Sequence, residues 1–490
     1  MKTEYVSPAM LIDGEWVEGK AGDPVIDPAT EAVLGYVPRA SRADLDRALA
    51  AAARSFPVWK GLAPARRAEL MTEAARLLRQ RAPEIAKIVT LEHGKPLAES
   101  RTEILRAADL VEWDANEGRR AYGRIVPGPP GFRQTVLREP IGPVAAFTPW
   151  NFPVSAPGRK VGGALASGCS IILKASEETP GGACAFIRCF VDAGVPPGVV
   201  NLVFGNPAEI SEYLIASPVI RLVTFTGSVP VGKHLTQMAG ALMKPVIMEL
   251  GGHSPVIICE DADPAVAARV SAAGKFRNAG QVCVSPTRFF VQQRSYERFV
   301  ESFVAEARKI KVGNGFEEGV QMGPLANPRR LEAMERLLAD AKQKGAIVET
   351  GGHRIHNAGF FFAPTVLTRV PAEAELMNVE PFGPIAPILP FDELNDAIAM
   401  ANSLPYGLAA YAFTHSAENV AALSDGVETG LLSINHVGGG VPEAPFGGVK
   451  DSGMGREGGI ESLDGYMITK FVSHFHGAPT ARTLARSSLQ

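Results

Sequence analysis

The chain has 490 residues, enough for roughly three domains or two large ones at about 150 residues each. Its 49 Lys and Arg against 52 Asp and Glu leave a formal net charge of −3, which excludes a protein built chiefly to bind nucleic acid. With 46% hydrophobic and 21% charged residues it reads as globular rather than disordered. The opening Met1-Lys2-Thr3-Glu4-Tyr5 lacks a secretory pattern, and no later stretch approaches the roughly 20 apolar residues that span a bilayer. The five cysteines include no Cys-x-x-Cys pair, so a reduced compartment is expected, with a cytoplasmic location and no membrane partner. Up to about residue 120 the pattern is mostly helical. A capping-box-like start at Ser41–Asp44 leads an Ala-rich helix to Phe56, followed by helices over Ala65–Arg79, Pro83–Leu91 and Glu99–Gly118. Two strands around a Gly-Pro turn are expected in 122–139, a hairpin that projects and pairs elsewhere. Short apolar runs at Val144–Phe147, Ser170–Leu173, Val199–Val203, Leu222–Phe225 and Val246–Met248 alternate with helical windows, the pattern of a parallel sheet with right-handed crossovers. A second alternating region runs from about 255 to 435, and a last strand, Met467–Phe475, precedes a polar tail, Gly477–Gln490.

Six short elements carry the chemistry. Cys283 lies in a Gly-marked turn, Gly280-Gln281-Val282-Cys283, just beyond the helical stretch Ala262–Phe276. A lone cysteine is more often buried and inert, but a loop beside a helix end suits a reactive thiol. Glu249, in Met248-Glu249-Leu250-Gly251-Gly252, stands where a strand ends, the edge at which ligands bind in open α/β sheets. Asn151 follows another strand in Thr148-Pro149-Trp150-Asn151-Phe152-Pro153, where a rigidly held amide can donate to a developing oxyanion or merely close a turn. Gly227 and Ser228 precede a helix with Pro230 in its first turn, which fits phosphate binding but is neither Gly-x-Gly-x-x-Gly nor a P-loop. Lys174 and Glu177, after a strand, can hydrogen-bond a ribose; Glu380-Pro381-Phe382-Gly383-Pro384 presents a carboxylate and a ring on a stiff turn. Each of the last two is, by itself, more often a surface loop.

In this order and spacing the six elements resemble the aldehyde dehydrogenase superfamily. The match extends to Pro445-Phe446-Gly447-Gly448 and Ser452–Glu457, and is closest to the succinate-semialdehyde dehydrogenase branch. The resemblance implies an α/β fold. A Rossmann-like dinucleotide-binding domain would take 1–120 and 140–250, and a second α/β catalytic domain 251–450. A small β oligomerisation extension from 121–139 and 466–490 would join subunits into a homo-oligomer, a dimer or a tetramer. It implies Cys283 as nucleophile, Glu249 as general base and Asn151 as oxyanion donor. The cofactor is expected to be NAD, with NADP as the alternative, held by Trp150, Lys174, Glu177, Gly227, Ser228, Glu380 and Phe382. No metal is called for. Arg159 and Arg277 match positions that in this branch hold the distal carboxylate of a semialdehyde, a task that suits a planar guanidinium. The loop Gly438–Ala444 offers no hydroxyl where that branch often has a serine, so glutarate or 2-oxoglutarate semialdehyde, or a broad aldehyde range, stand as alternatives to succinate semialdehyde. A catalytically silent member and a coenzyme-A-acylating enzyme are the other classes to weigh. Glu249 speaks for hydrolysis, since an acylating enzyme needs no base to activate water.

Overall fold

The computed structural model describes residues 5–18, 22–438 and 440–476; Met1–Glu4, Gly19–Ala21, Gly439 and the polar tail lie outside the described residues. Two sheets organise the chain. The first has eight strands in the order Gly453–Met454, Val246–Leu250, Leu222–Gly227, Val144–Phe147, Ile171–Lys174, Val200–Val203, Met10–Ile12, Glu15–Val17. Its five central strands are parallel and buried on both faces, which is why each reads as a continuous apolar run. Antiparallel strands close both edges, Met10–Ile12 with Glu15–Val17 at one and Gly453–Met454 at the other.

The second sheet has seven strands in the order Ile347–Thr350, Thr365–Thr368, Ile385–Phe391, Pro286–Gln292, Ser254–Ile258, Ala409–Phe413, Leu431–Ile434, all parallel except the first. The chain passes from one sheet to the other between Leu250 and Ser254, and each sheet has its own hydrophobic core. The expected hairpin is present as Arg124–Val126 and Phe132–Pro140. All nine residues of Phe132–Pro140 pair antiparallel with Met467–Phe475 of the same chain, so what the hairpin pairs with is the final strand.

Three local expectations are corrected. The described residues among the first 40 are not helical: they hold four short strands, of which Met10–Ile12 is buried in the first sheet. Ala65–Arg79 and Pro83–Leu91 are one helix, Pro64–His93, running through Pro83. Its apolar face packs densely on the helices Leu97–Gly118 and Pro180–Asp192, and that burial outweighs the hydrogen bond that proline removes. The first helix reaches Gly61 through Pro57 rather than stopping at Phe56, while its capping box is the expected one, Ser41 with Asp44.

Candidate active site

The carboxyl ends of the first sheet face the amino ends of the second. Asn151, Gly227 and Glu249 end or follow strands of the first; Cys283, Glu380 and Tyr406 precede strands of the second. The cleft between them has a volume of about 830 Å³ and is lined by Trp150, Asn151, Arg159, Gly227, Ser228, Glu249, Arg277, Cys283, Glu380 and Phe382. Ten of the twelve predicted site residues therefore share one cavity. The other two do not: Lys174 is buried and bonded to Glu177, and Glu177 lines a separate depression with Asp23, Arg39, Asn206 and Tyr213.

The loop that carries Cys283 is shaped by a kink. The helix Pro264–Phe276 ends, and Asn278 and Ala279 adopt left-handed backbone angles, φ 51° and 53°, that non-glycine residues rarely take. Hydrogen bonds hold the kink: Asn278 N–H donates to Glu99 (3.0 Å), Asn278 Nδ2 to the Asn151 carbonyl (3.3 Å), and the Ala326 N–H to Gln281 Oε1 (2.9 Å). Cys283 is half-buried. Burial, and then the Glu380 and Glu249 carboxylates, push its thiol up to about 12, with Arg159 opposing them.

Asn151 is locked from below. Its carbonyl accepts from Lys95 Nζ at 2.7 Å, and its Nδ2 donates to the Gln281 carbonyl at 3.1 Å, leaving the second amide hydrogen available. Lys95 is in turn paired with Glu103 at 2.7 Å, both groups fully withdrawn from solvent. The other Glu103 oxygen accepts from the Val154 and Ser155 N–H groups that open the helix Ser155–Ser167.

Glu249 is 2% exposed and, among the described residues, neither carboxyl oxygen has a hydrogen-bond partner. Burial, and then the nearby Glu457, push its pKa well above the carboxylate range, against Lys160, Arg159 and Arg456. Glu457 is itself buried and paired with Lys160 at 2.7 Å, and Lys160 also donates to Thr224 Oγ1 at 3.1 Å.

At the other end of the cleft, Glu380 accepts from the Gly252 N–H at 3.4 Å, and burial pushes it up to about 8. A Cβ at Gly251 would sit 2.2 Å from that carboxylate, so only glycine lets the turn approach. Phe382 has φ 44°, and its carbonyl is held by Arg330 at 3.0 Å; its ring meets Trp150 edge-on at 5.5 Å. Ser228 begins the helix Val229–Gly240 and, among the described residues, its side chain makes no capping bond. The first-turn N–H groups are thus left to a ligand. An aromatic wall, an unsatisfied helix start and a carboxylate on a stiff turn fit a pyridine dinucleotide.

The whole chain can now be set beside known proteins. The model of the aldehyde dehydrogenase family matches residues 16–472. The chain belongs to that family. Membership makes it an NAD(P)-dependent aldehyde dehydrogenase. It is 47% identical to 4-(hydroxymethyl)benzenesulfonate dehydrogenase TsaD1 of Comamonas testosteroni over 473 residues, 96% of this chain and 98% of that one. It is 40% identical to the NADP(+) succinate-semialdehyde dehydrogenase GabD of Escherichia coli over 465 residues, 94% and 96% of the two chains. The crystal structure of succinate-semialdehyde dehydrogenase from Burkholderia pseudomallei superposes with a TM-score of 0.94 at 39% identity, covering 97% of this chain and 99% of that one.

Several residues in or behind the cleft of this aldehyde dehydrogenase escape a reading from sequence: Lys95, Glu99, Glu103, Arg106, Tyr406 and Glu457 line it, and Lys160 is buried behind it against Glu457. Helical spacing was the available signal for three of them. Glu99, Glu103 and Arg106 sit four and three residues apart on Leu97–Gly118 and so share a face, although their opposite charges look like those of a solvated helix. Among the described residues, no group of three His, Cys, Asp or Glu is placed to hold a metal, and no helix is long and apolar enough to cross a membrane.

Proposed function

We propose that this cleft oxidises an aldehyde carrying an anionic group at its far end to the corresponding carboxylic acid. The observation that carries the reading is the meeting of Cys283, Asn151 and Glu249 with Arg159 and Arg277 in one cavity. The Cys283 thiolate attacks the aldehyde carbon. The oxyanion that forms accepts from the free Asn151 amide hydrogen and the Cys283 N–H, each donor worth roughly 3–4 kcal/mol in comparable sites. Bound NAD(P) supplies the hydride acceptor. Trp150, Gly227, Ser228, Glu380 and Phe382 hold its nicotinamide and pyrophosphate, and Lys174 and Glu177 the adenosine ribose. NAD is the preferred form, because the Glu177 carboxylate opposes a 2′-phosphate.

Hydride loss leaves a thioester on Cys283. Glu249 takes a proton from water, which attacks that thioester and releases the acid. A carboxyl whose pKa is raised by burial and by Glu457 is a strong enough base for this once deprotonated, and the Lys160–Glu457 pair beside it offers the proton an exit.

A carboxylate-bearing semialdehyde, succinate semialdehyde first and the glutarate or 2-oxoglutarate compounds next, suits the two guanidiniums. The second reading is an aldehyde bearing a sulfonate, favoured by the 47% identity to a benzenesulfonate-handling relative. The protein acts in the cytoplasm as a homo-oligomer, its final strand and hairpin forming the contact between subunits. NADH formation across aldehydes with and without a terminal anion, each with and without coenzyme A, tests the whole reading. Turnover that requires coenzyme A, or kcat/KM equal for anionic and neutral aldehydes, overturns it.

A further inference from the structure

Glu92 lies in the last turn of the helix Pro64–His93, yet its side chain is 1% exposed and serves another helix. The helix Pro180–Asp192 starts after Thr179, whose side chain makes no capping bond, and Pro180 has no N–H to offer. The next two N–H groups donate to Glu92 instead, Gly181 to Oε1 at 2.7 Å and Gly182 to Oε2 at 3.1 Å. A Cβ on Gly181 would stand 2.6 Å from Glu92 Oε1, so only glycine lets the carboxylate come this close. A carboxylate is disfavoured at the carboxyl end of its own helix and favoured at the amino end of another, so Glu92 is placed for Pro180–Asp192.

That helix start closes the loop 175–179, which follows the strand Ile171–Lys174 and carries Glu177. The same loop is tied to the helix Pro328–Gln343 of the second core, where Glu178 accepts from Asn327 Nδ2 at 3.0 Å and pairs with Arg329. Thr179 Oγ1 donates to the Trp150 carbonyl at 3.2 Å. Tyr5, ahead of Met10–Ile12, donates its hydroxyl to Glu92 Oε1. Burial pushes Glu92 up to about 7, against the Tyr5, Gly181 and Gly182 donors. The titratable groups that face it, Tyr5 and Cys184, are raised further by burial, Cys184 to about 12, and stay neutral. Arg188, which faces Cys184, lies over the Trp16 ring at 4.2 Å from its centroid.

We propose that Glu92 is a positioning residue for cofactor capture: its carboxylate, steadied by Tyr5, holds the loop 175–179 in the geometry that receives the adenosine ribose. This rests on the reading of Lys174 and Glu177 as the ribose end of the cofactor site. Glu92 lines neither the catalytic cleft nor the depression at Glu177, and it acts through the backbone of Gly181 and Gly182. Hydrogen bonds to a charged acceptor are about twice as strong as those to a neutral one, so an uncharged group in its place holds the loop less firmly. Apparent affinity falls in proportion to the fraction of molecules whose loop is already in place. Once the cofactor is bound, the chemistry at Cys283 no longer depends on that fraction, so the effect falls on cofactor affinity rather than on kcat.

The test titrates AMP, which carries the adenosine ribose without the nicotinamide, into wild type, Glu92→Gln, Tyr5→Phe and Glu177→Ala by calorimetry. KM for NAD and kcat are measured alongside with saturating succinate semialdehyde. Glu92→Gln should weaken AMP and raise KM for NAD by the same factor, about fivefold or more, with kcat within about twofold. Tyr5→Phe should shift both in the same direction by less, and should add nothing in the Glu92→Gln background, because the two residues act as one unit. The ratio of the Glu92→Gln to the wild-type Kd for AMP should be largest at pH 8 and shrink toward one at pH 6, as wild-type Glu92 takes up a proton. Unchanged AMP and NAD affinities with only a lowered Tm would make Glu92 merely structural and overturn the proposal. So would a loss in kcat as large as that in NAD affinity, or a ratio flat from pH 6 to 8. If Glu177→Ala leaves AMP binding unmoved, the ribose assignment beneath the proposal is refuted; a loss there with none in Glu92→Gln refutes the proposal alone. If Glu92→Gln fails to fold, Tyr5→Phe decides: weakened AMP with kcat retained upholds the proposal and unchanged AMP refutes it.

Discussion

Lys95 is the point at which stability and catalysis are tied most closely, and Lys95→Met separates them. Its ammonium is 1% exposed and contacts Glu103 at 2.7 Å, the Asn151 carbonyl at 2.7 Å and the Phe152 ring at 4.4 Å from its centroid. Removing it leaves the Glu103 carboxylate buried with two backbone N–H donors and no counter-charge. Breaking one side of a buried pair costs about 3–5 kcal/mol. For a cooperative unit of 150–250 residues that is a fall of roughly 6–20 °C in Tm. The Asn151 backbone also loses its clamp, and a displacement near 1 Å at an oxyanion donor costs up to about 10²-fold in kcat. The assay is a thermal scan at fixed rate with steady-state kinetics well below the transition. Adding Glu103→Gln removes the orphaned charge while keeping an acceptor for Val154 and Ser155, so the double variant should be more stable than Lys95→Met alone. A Lys95→Met protein with wild-type Tm and kcat, or a double variant destabilised by the sum of the two single losses, would refute the reasoning.

Three further outcomes are expected. Cys283→Ala should abolish turnover while retaining NAD binding, and Glu249→Gln should give one burst of NADH per site followed by slow release of acid; substantial turnover by the alanine variant sinks the assignment. Because burial, and then Glu380 and Glu249, raise the Cys283 thiol, thiolate becomes more abundant as pH rises throughout the accessible range, so alkylation by iodoacetamide in the absence of cofactor should climb about tenfold per pH unit from 7 to 10. A plateau below pH 9 would contradict that shift. Glu177→Ser should raise the NADP/NAD ratio of kcat/KM by about tenfold, less at high salt because the group is partly exposed; a wild type that already favours NADP, with a ratio unmoved by the substitution, would remove Glu177 from cofactor choice.

The parts of the fold legible in sequence are those whose physics is local. Val144–Phe147 and Met467–Phe475 were bounded to the residue, the first because a doubly buried parallel strand is a bare apolar run between turn residues. Met10–Ile12 was missed because three residues carry no readable period, and its burial comes from pairing with Leu202, far along the chain. Pro83 misled for a related reason: the packing that keeps its helix continuous is made by other helices. Within the site, residues in strand-end motifs announced themselves. Arg106 and Lys160 did not, because a helical cation looks the same in sequence whether it meets solvent, a cavity or a buried carboxylate, and Lys95 did not, because it stands in the short break between two helices.

The antiparallel partnership of Phe132–Pro140 with Met467–Phe475 imposes a delay during synthesis. Lys470 bonds Glu139, a residue 331 positions earlier in the chain. At about 5–20 residues per second, the earlier strand emerges and then waits roughly 15–65 s for its partner. Throughout that interval one side of Phe132–Pro140 pairs only with the three residues Arg124–Val126. Its other edge is open to any extended segment of a neighbouring nascent chain. Chaperone demand should therefore concentrate on this hairpin, and a stop codon shortly before Met467 should yield protein that aggregates even though both large sheets have been made.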